Sequence, residues 1–163
     1  MATLTTNKNY LQPTGFKVVI NRTNYPNLTF FAQSVSHPDV SLTSPTVPYS
    51  RIGNISIPGD ALDYSQLNIN FILDENMEAY TELYNWMESL VNINFKNTDN
   101  ADPSQADISI SILTSHNNQN KVITYKGCNP VSVSGLELTA IASTVEYLTF
   151  NGVFTFTGFE IKS

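Results

Sequence analysis

The stretch Val145–Lys162, VEYLTFNGVFTFTGFEIK, decides how the chain folds. Leu148, Phe150, Phe154 and Phe156 share one alternating row, with Tyr147, Thr149, Val153 and Thr155 on the other. Side chains along a strand point to opposite faces with period two, so such a row is buried while its partner faces out. Ordinary strands run about 5–6 residues, and these eighteen residues are about three times that. The expectation is one long strand serving something larger than the core of one domain, with Phe150, Phe154 and Phe156 turned inward. Gly152 and Gly158 are places where it could bend.

Upstream, Phe16–Ile20 is β-rich and ends in the turn-forming NRTNYPN. Leu28–Val35, LTFFAQSV, reads as a second strand forming a hairpin with the first. From Ser36 to Asp63 the prolines 38, 45, 48 and 58 allow only short extended pieces, such as Ile52–Ile57. A long segment with little regular structure is unusual inside a compact domain and is usually functional. Leu67, Ile69, Phe71 and Leu73 alternate as a strand. Asp74 then reads as the N-cap of a helix over about Glu75–Val91, with acids in the first turn where the helix dipole favours them. Its apolar stripe is Met77, Tyr80, Leu83, Met87 and Leu90. Ile108, Ile110 and Ile112 pair across SHNNQN with Lys121–Lys126 as a hairpin, and GCNP breaks the chain before a short strand at Val131 and Val133. The fold class expected is mainly β: six to eight strands in one domain over residues 1–163, as an antiparallel sandwich or partly closed barrel flanked by one helix. Residues 1–14 form a polar arm, and 36–63 an extended loop.

Hydrophobic content is 41%, but charged residues make up only 13%, against roughly 25% in typical soluble domains. Asn, Ser and Thr fill the gap. A surface of neutral polar side chains can be covered by identical copies without burying many charges, which points to an assembly subunit; an Asn-rich, aromatic carbohydrate-binding β-sandwich is the alternative from another class. The net charge is -6 and no basic run exists, so the chain is not an adhesive nucleic-acid binder. The opening residues contain no secretory apolar run and no segment has the length of a membrane span, so the expectation is synthesis in a cytoplasm and no membrane anchor. The sequons at Asn21, Asn27 and Asn54 then carry no meaning.

No catalytic constellation emerges, and neither an enzyme nor a cofactor is expected. His37 and His116 are the only histidines, and neither has a second His at metal-ligand spacing. Asp60 with Asp63 flank a turn and Asp74 with Glu75 open a helix, so structural roles account for both acidic pairs. Asp99 and Asp102 lack the glycine and terminal glutamate of a calcium loop. Cys128, the single cysteine, cannot form an intrachain disulfide and reads as a small packed side chain.

Several pieces in order resemble the tube proteins of contractile bacteriophage tails. They are Pro13-Thr14-Gly15-Phe16, then Phe30-Phe31-Ala32-Gln33-Ser34-Val35 followed by His37-Pro38-Asp39, then Ile57-Pro58-Gly59-Asp60 and Leu73-Asp74-Glu75. Tyr84-Asn85-Trp86-Met87, the run Asn129–Leu138 and the aromatic end at Phe159-Glu160 complete the set. One departure is His37-Pro38-Asp39, where the family pattern has a leucine-proline-glycine turn. The resemblance implies a six-subunit ring, with rings stacked into a hollow tube inside a contractile sheath, and it extends to baseplate tube proteins and tube-terminating rings. It implies a closed inner barrel shared by all six subunits, and a loop after the second strand that reaches the adjacent ring. His37, Asp39, Tyr49, Arg51 and Ile52 are the inter-ring candidates. The expected partners are further copies of the chain, sheath and baseplate proteins, and viral DNA passing without specific binding; the expected location is the virion, after assembly in the host cytoplasm. The uncharged row Thr149, Asn151, Thr155 and Thr157 supplies the lumen-lining candidates, in a bore of Asn, Ser, Thr, Asp and Glu rather than Lys or Arg.

Overall fold

The computed structural model describes residues 10–11, 13–20, 24–49, 53–93, 105–139 and 147–162. In chain order, strand β1 (Phe16–Ile20) leads to helix α1 (Pro26–Phe31) and strand β2 (Ala32–Ser36). Then come β3 (Val40–Leu42), β4 (Thr46–Tyr49), β5 (Gly53–Ser56), β6 (Leu62–Tyr64) and β7 (Leu67–Ile72). Helix α2 (Glu78–Ile93) precedes β8 (Ala106–Leu113), β9 (Gln119–Val133), β10 (Thr149–Thr155) and β11 (Gly158–Lys162).

Every strand pairing is antiparallel. Sheet A has the order β1-β8-β9-β11 and sheet B the order β2-β7-β10-β9, so β9 belongs to both. The fold is the mainly β, antiparallel architecture expected, but with eleven strands and two helices among the described residues. Four of those strands, β3 to β6, pair only among themselves.

The long strand is β9, not the chain's end. The stretch expected as one strand divides into β10 and β11 around Phe156 and Thr157, and 145–146 lie outside the described residues. Phe150 and Phe154 are buried as expected, Phe156 is half-buried, and Leu148 is exposed. In β9 the buried positions shift from Ile123 and Tyr125 to Cys128 and Pro130. An extra residue opposite Ala106–Ile108 causes that shift, with Gly127 in the left-handed region at φ 62°. A glycine-centred bulge re-aims a strand without ending it, so GCNP carries the chain from one sheet to the other where a break was expected. The Gly127 N–H donates to Asp107 Oδ1 at 3.0 Å, holding the bulge.

The hairpin of β1 with a strand over Leu28–Val35 does not form. Pro26–Phe31 is helical with Pro at its first turn, β1 pairs β8, and β2 pairs β7. Proline at the first helical position sacrifices no helix hydrogen bond. The other orphan amides are met from α2: Glu82 Oε2 accepts from the backbone N–H of Asn27 and of Leu28, each at 3.1 Å.

Helix α2 begins three residues later than expected. Met77 takes φ 57°, and Asp74 caps from one turn back, its carboxylate accepting from the N–H of Glu78 at 3.0 Å and of Ala79 at 3.2 Å. Its buried stripe is Ala79, Leu83 and Trp86, while Met77 and Tyr84 of the expected helix are exposed. That stripe lies on Phe71, Phe150 and Phe154 of sheet B. Trp86 is 5.8 Å from Phe154 and stacks on Tyr25 at 4.5 Å, while Phe71 stacks on Phe150 at 5.2 Å, all between ring centroids. Gly152 allows the close approach: an added Cβ would sit 3.1 Å from side-chain atoms of Leu83, Phe71 and Phe154.

Candidate functional site

Packing one face of sheet B under α2 and against sheet A leaves the other face outward. Register places Ser34, Asn70 and Asn151 in one cross-strand row, and Ser36, Asn68, Val153 and Ser132 in the next. The row is bonded laterally: Asn70 Nδ2 donates to Ser34 Oγ at 3.2 Å, and the Asn151 N–H donates to Ser134 Oγ at 2.9 Å. Across β2, β7, β10 and residues 129–133 of β9 there is no Asp, Glu, Lys or Arg. Sheet A differs. It carries Lys17, Asp107, Lys121, Lys126, Glu160 and Lys162, with Glu160 paired to Lys126 and to Lys162.

Thr149, Asn151 and Thr155 stand on this uncharged face of β10. Thr157 lies past the strand end, where its N–H and its hydroxyl both donate to the carbonyl of Lys126, at 3.0 and 2.9 Å. Its tie is to the strand β9 near the bulge, not to the row. Ser34, Asn68, Asn70 and Ser132 were missed as row members because only register between distant strands aligns them; the alternation of β7 was visible, its neighbours were not.

Among the described residues both lateral edges of sheet B are open. Among those residues β2 pairs only β7, and residues 129–133 of β9 pair only β10. Pro130, which cannot donate to a ladder, fits that edge next to the register shift between Val153 and Phe154.

The second region is the arm. Strands β3 and β6 form its lower layer and β4 and β5 its upper one, so the segment expected as a loop is a two-tier hairpin. Gly59 makes the crossing possible, since a Cβ there would fall 1.3 Å from the Thr43 carbonyl oxygen. At the base, His37 Nδ1 meets the Tyr125 hydroxyl at 2.5 Å, and its ring packs edge-on to Phe159 at 5.1 Å. Tyr64 joins the same aromatic group through Phe156 and Phe159, at 5.6 and 5.7 Å. Burial pushes the Tyr125 phenol well above its ordinary range. Asp39 occupies the departure from the family turn without strain: its N–H donates to Ser65 Oγ at 2.6 Å and its φ is not positive. Tyr49 ends β4, whereas Arg51 and Ile52 lie outside the described residues.

Among the described residues no cluster of His, Cys, Asp or Glu could hold a metal ion, and no helix is long and apolar enough to cross a membrane. Cys128 is fully buried, its thiol pushed up to about 12 chiefly by that burial.

The antiparallel sandwich recurs in solved chains of contractile injection systems. Similar solved chains come from the sheath-tube complex of an extracellular contractile injection system, PVC (15% identity, TM-score 0.66, 96% of this chain and 93% of that one). Others come from the tube-terminating cap of the anti-feeding prophage (13%, 0.67, 99% and 96%) and from its six-fold symmetrised baseplate (13%, 0.61, 99% and 97%). The sequence pattern of the phage tail tube proteins matches residues 2–162, and the chain belongs to that family. It is a structural protein rather than an enzyme. No curated protein sequence matches the chain.

Proposed function

We propose that the chain is the repeating subunit of the inner tube of a contractile phage tail. Six copies close a ring through the edges of sheet B, rings stack, and DNA leaves through a bore lined by the uncharged face. The observation that carries this is a charge-free sheet between two open edges. Strands β2, β7, β10 and the end of β9 alternate in direction, so β2 of one copy meets β9 of the next antiparallel. Alternation then survives closure of a ring, which removes edges that would otherwise template aggregation. A heterologous contact with rotational closure is what makes a ring. Phosphate binding draws on clustered Lys and Arg, and a face of Ser, Thr and Asn offers DNA nothing to hold. It holds no acids either.

The sheath-tube origin of one similar chain and the six-fold symmetry of another support a sheath partner, a baseplate partner and the count of six. The cap chain fits the fold as closely as the sheath-tube chain, TM-scores 0.67 and 0.66, and this favours a terminator or baseplate ring as the second reading. Copy number per virion separates them: many rings for the tube, one for a cap. A sugar-binding sandwich would need stacking aromatics grouped on one open face; Phe71, Phe150 and Phe154 are buried, and the exposed Phe30, Tyr84 and Tyr147 stand on α1, on α2 and ahead of β10.

Electron microscopy of the purified protein at rising concentration tests the proposal. Six-fold rings and tubes with a central hole are expected; a monodisperse monomer at all concentrations would refute it. A reconstruction with a basic bore would sink the conduit role alone.

A further inference from the structure

The run Asn129–Leu138, which stands out in the sequence, is only partly used by the fold. Residues 129–133 are the end of β9. Ser134 is still tied to β10, its N–H donating to the Asn151 carbonyl at 2.9 Å. Beyond it the chain leaves regular structure: Leu136 packs on the core, while Glu137 and Leu138 are exposed, Leu138 at 79%. A leucine that open contributes nothing to the core of its own copy.

At the other lateral edge of sheet B, beside β2, lies an open groove of about 720 Å³. Phe16 and Lys17 of β1, Thr29 and Phe30 of α1, and Ala32 and Gln33 of β2 border it. Phe30 is 80% exposed, and Lys17 is the one charged side chain on the wall. Among the described residues neither Lys17 nor Glu137 has an ion-pair partner. Each edge therefore holds one large apolar side chain in water together with one unpaired charge, and the two charges are opposite in sign.

Strand direction brings the two edges together. Strand β9 runs antiparallel to β10, β10 to β7 and β7 to β2. When β9 of one copy lies along β2 of the next, its C-terminal end therefore lies by the start of β2. The residues just before β2 are α1. Register places Ser134 in the row of Asn151, Asn70 and Ser34, and the four residues onward to Leu138 cover about 13 Å at ~3.3 Å per residue. That carries Leu138 past Ala32 of the neighbour to the Phe30 wall. Closing a barrel tilts and staggers its strands, and a groove that extends from Pro26 to Gln33 takes up the stagger.

We propose that Glu137 and Leu138 of one copy dock in the groove beside α1 of the next copy in the same ring, Leu138 against Phe30 and Glu137 toward Lys17. This rests on the tube reading above and extends the contact beyond the strand edges. Donor and acceptor are different patches, so the contact is heterologous and closes by rotation. It removes from water two side chains whose exposure serves neither copy alone.

A double variant, Phe30→Cys with Leu138→Cys, tests the address in assembled protein under mild oxidation; Cys128 is buried and does not compete. The expected product on non-reducing gels is a ladder of linked chains that stops at the number of copies in one ring, and neither single variant gives it. A ladder that runs past that number would put the contact between rings and overturn the proposal. Charge reversal gives a second measurement that does not depend on cysteine geometry. Lys17→Glu and Glu137→Lys should each leave the monomer's melting temperature unchanged, because both side chains are exposed. Each should raise the concentration needed for ring formation, read by sedimentation, about tenfold, since like charges then meet at every contact around the ring. The combined variant should return to within about twofold of the wild type. Rings that form without the ladder, or single reversals that the combined variant does not rescue, would overturn the docking and leave the tube reading standing. Wild-type protein that never forms rings would overturn both.

Discussion

Sheet B and the arm are both extended chain poor in charge, yet their apolar residues meet opposite fates. Leu67, Ile69, Phe71, Phe150 and Phe154 are at most 1% exposed, whereas Val40, Leu42, Val47, Ile55 and Leu62 are 40–54% exposed. The difference is not in side-chain chemistry. It lies in what covers each sheet: α2 lies across the first, and none of the described residues lies across the exposed pairs of the second. Apolar area left in water contributes its roughly 25 cal/mol per Å² only when something else covers it, so the first set stabilises the monomer and the second is available to stabilise an assembly. Substitutions in the two regions should therefore separate folding from assembly.

The largest effect belongs to the covered sheet. Phe154→Asp places a charge between Trp86 and the sheet, at a fully buried position. Truncating a buried aromatic already costs about 3–5 kcal/mol, comparable with the whole stability of many domains. Insoluble or unfolded protein is expected by circular dichroism, and a soluble variant that still assembles would show the buried face to be misassigned. Next comes Glu82, which ties α1 to α2 through two backbone amides and the Asn27 side chain at 2.7 Å. Hydrogen bonds to a charged group contribute about 1.5–3 kcal/mol, so Glu82→Ala should lower stability by about 2 kcal/mol in urea denaturation. An unchanged midpoint would show that α1 is held by its apolar contacts alone.

Glu82 also marks where reading the sequence stopped. The strands at β1, β7, β8 and β10 and the body of α2 were legible because their patterns are local. The helix at Pro26–Phe31 was not, although Pro26 is an N-terminal signal: Thr29, Phe30 and Phe31 favour strand, and the cap arrives from a residue more than fifty positions away. The continuity of β9 was hidden in the same way, since Gly127 and Pro130 are breakers in isolation and bulge or edge residues in a sheet. Of the candidate site, the uncharged row of β10 was visible, and its extension over β2, β7 and β9 required register. His37 stood out as one of two histidines, but its partner Tyr125 lies across the fold.

The arm should respond in the opposite sense. Leu42→Ser with Leu62→Ser alters an exposed pair, and surface changes typically stay within about 0.5 kcal/mol. The melting temperature should hardly move while tube formation fails in sedimentation. Gly59→Ala sharpens the same test: its Cβ collides with the Thr43 carbonyl, so the arm must deform while the body, which shares no strand pairing with it, stays folded. Loss of the body's cooperative transition in either variant would mean that the arm is part of the core after all.

The smallest expected effect separates the two sheets by charge. Glu160, half-exposed on β11, has its carboxyl lowered from 4.5 to about 2, first by the hydrogen bond from Lys126, then by that from Lys162 and by their charges. A carboxyl lowered in the folded state contributes stability that is fully present above its ordinary value and lost as pH falls through the lowered one. For Glu160 that window runs from 4.5 down to about 2. Asp74 moves in the same direction: burial pushes its carboxyl up, but the N–H groups of Glu78 and Ala79 outweigh it. Strands β2, β7 and β10 and residues 129–133 of β9 carry no Asp, Glu, Lys or Arg to respond. Acid should therefore loosen β11 and the first turn of α2 before sheet B opens, seen as earlier loss of amide-exchange protection after correction for intrinsic rates. Glu160→Gln should abolish the acid dependence at β11 while leaving that at α2, because the two carboxylates hold different elements. Equal loss across both sheets would mean that the protein opens as one cooperative unit, with the ion pair on sheet A adding nothing local to its edge.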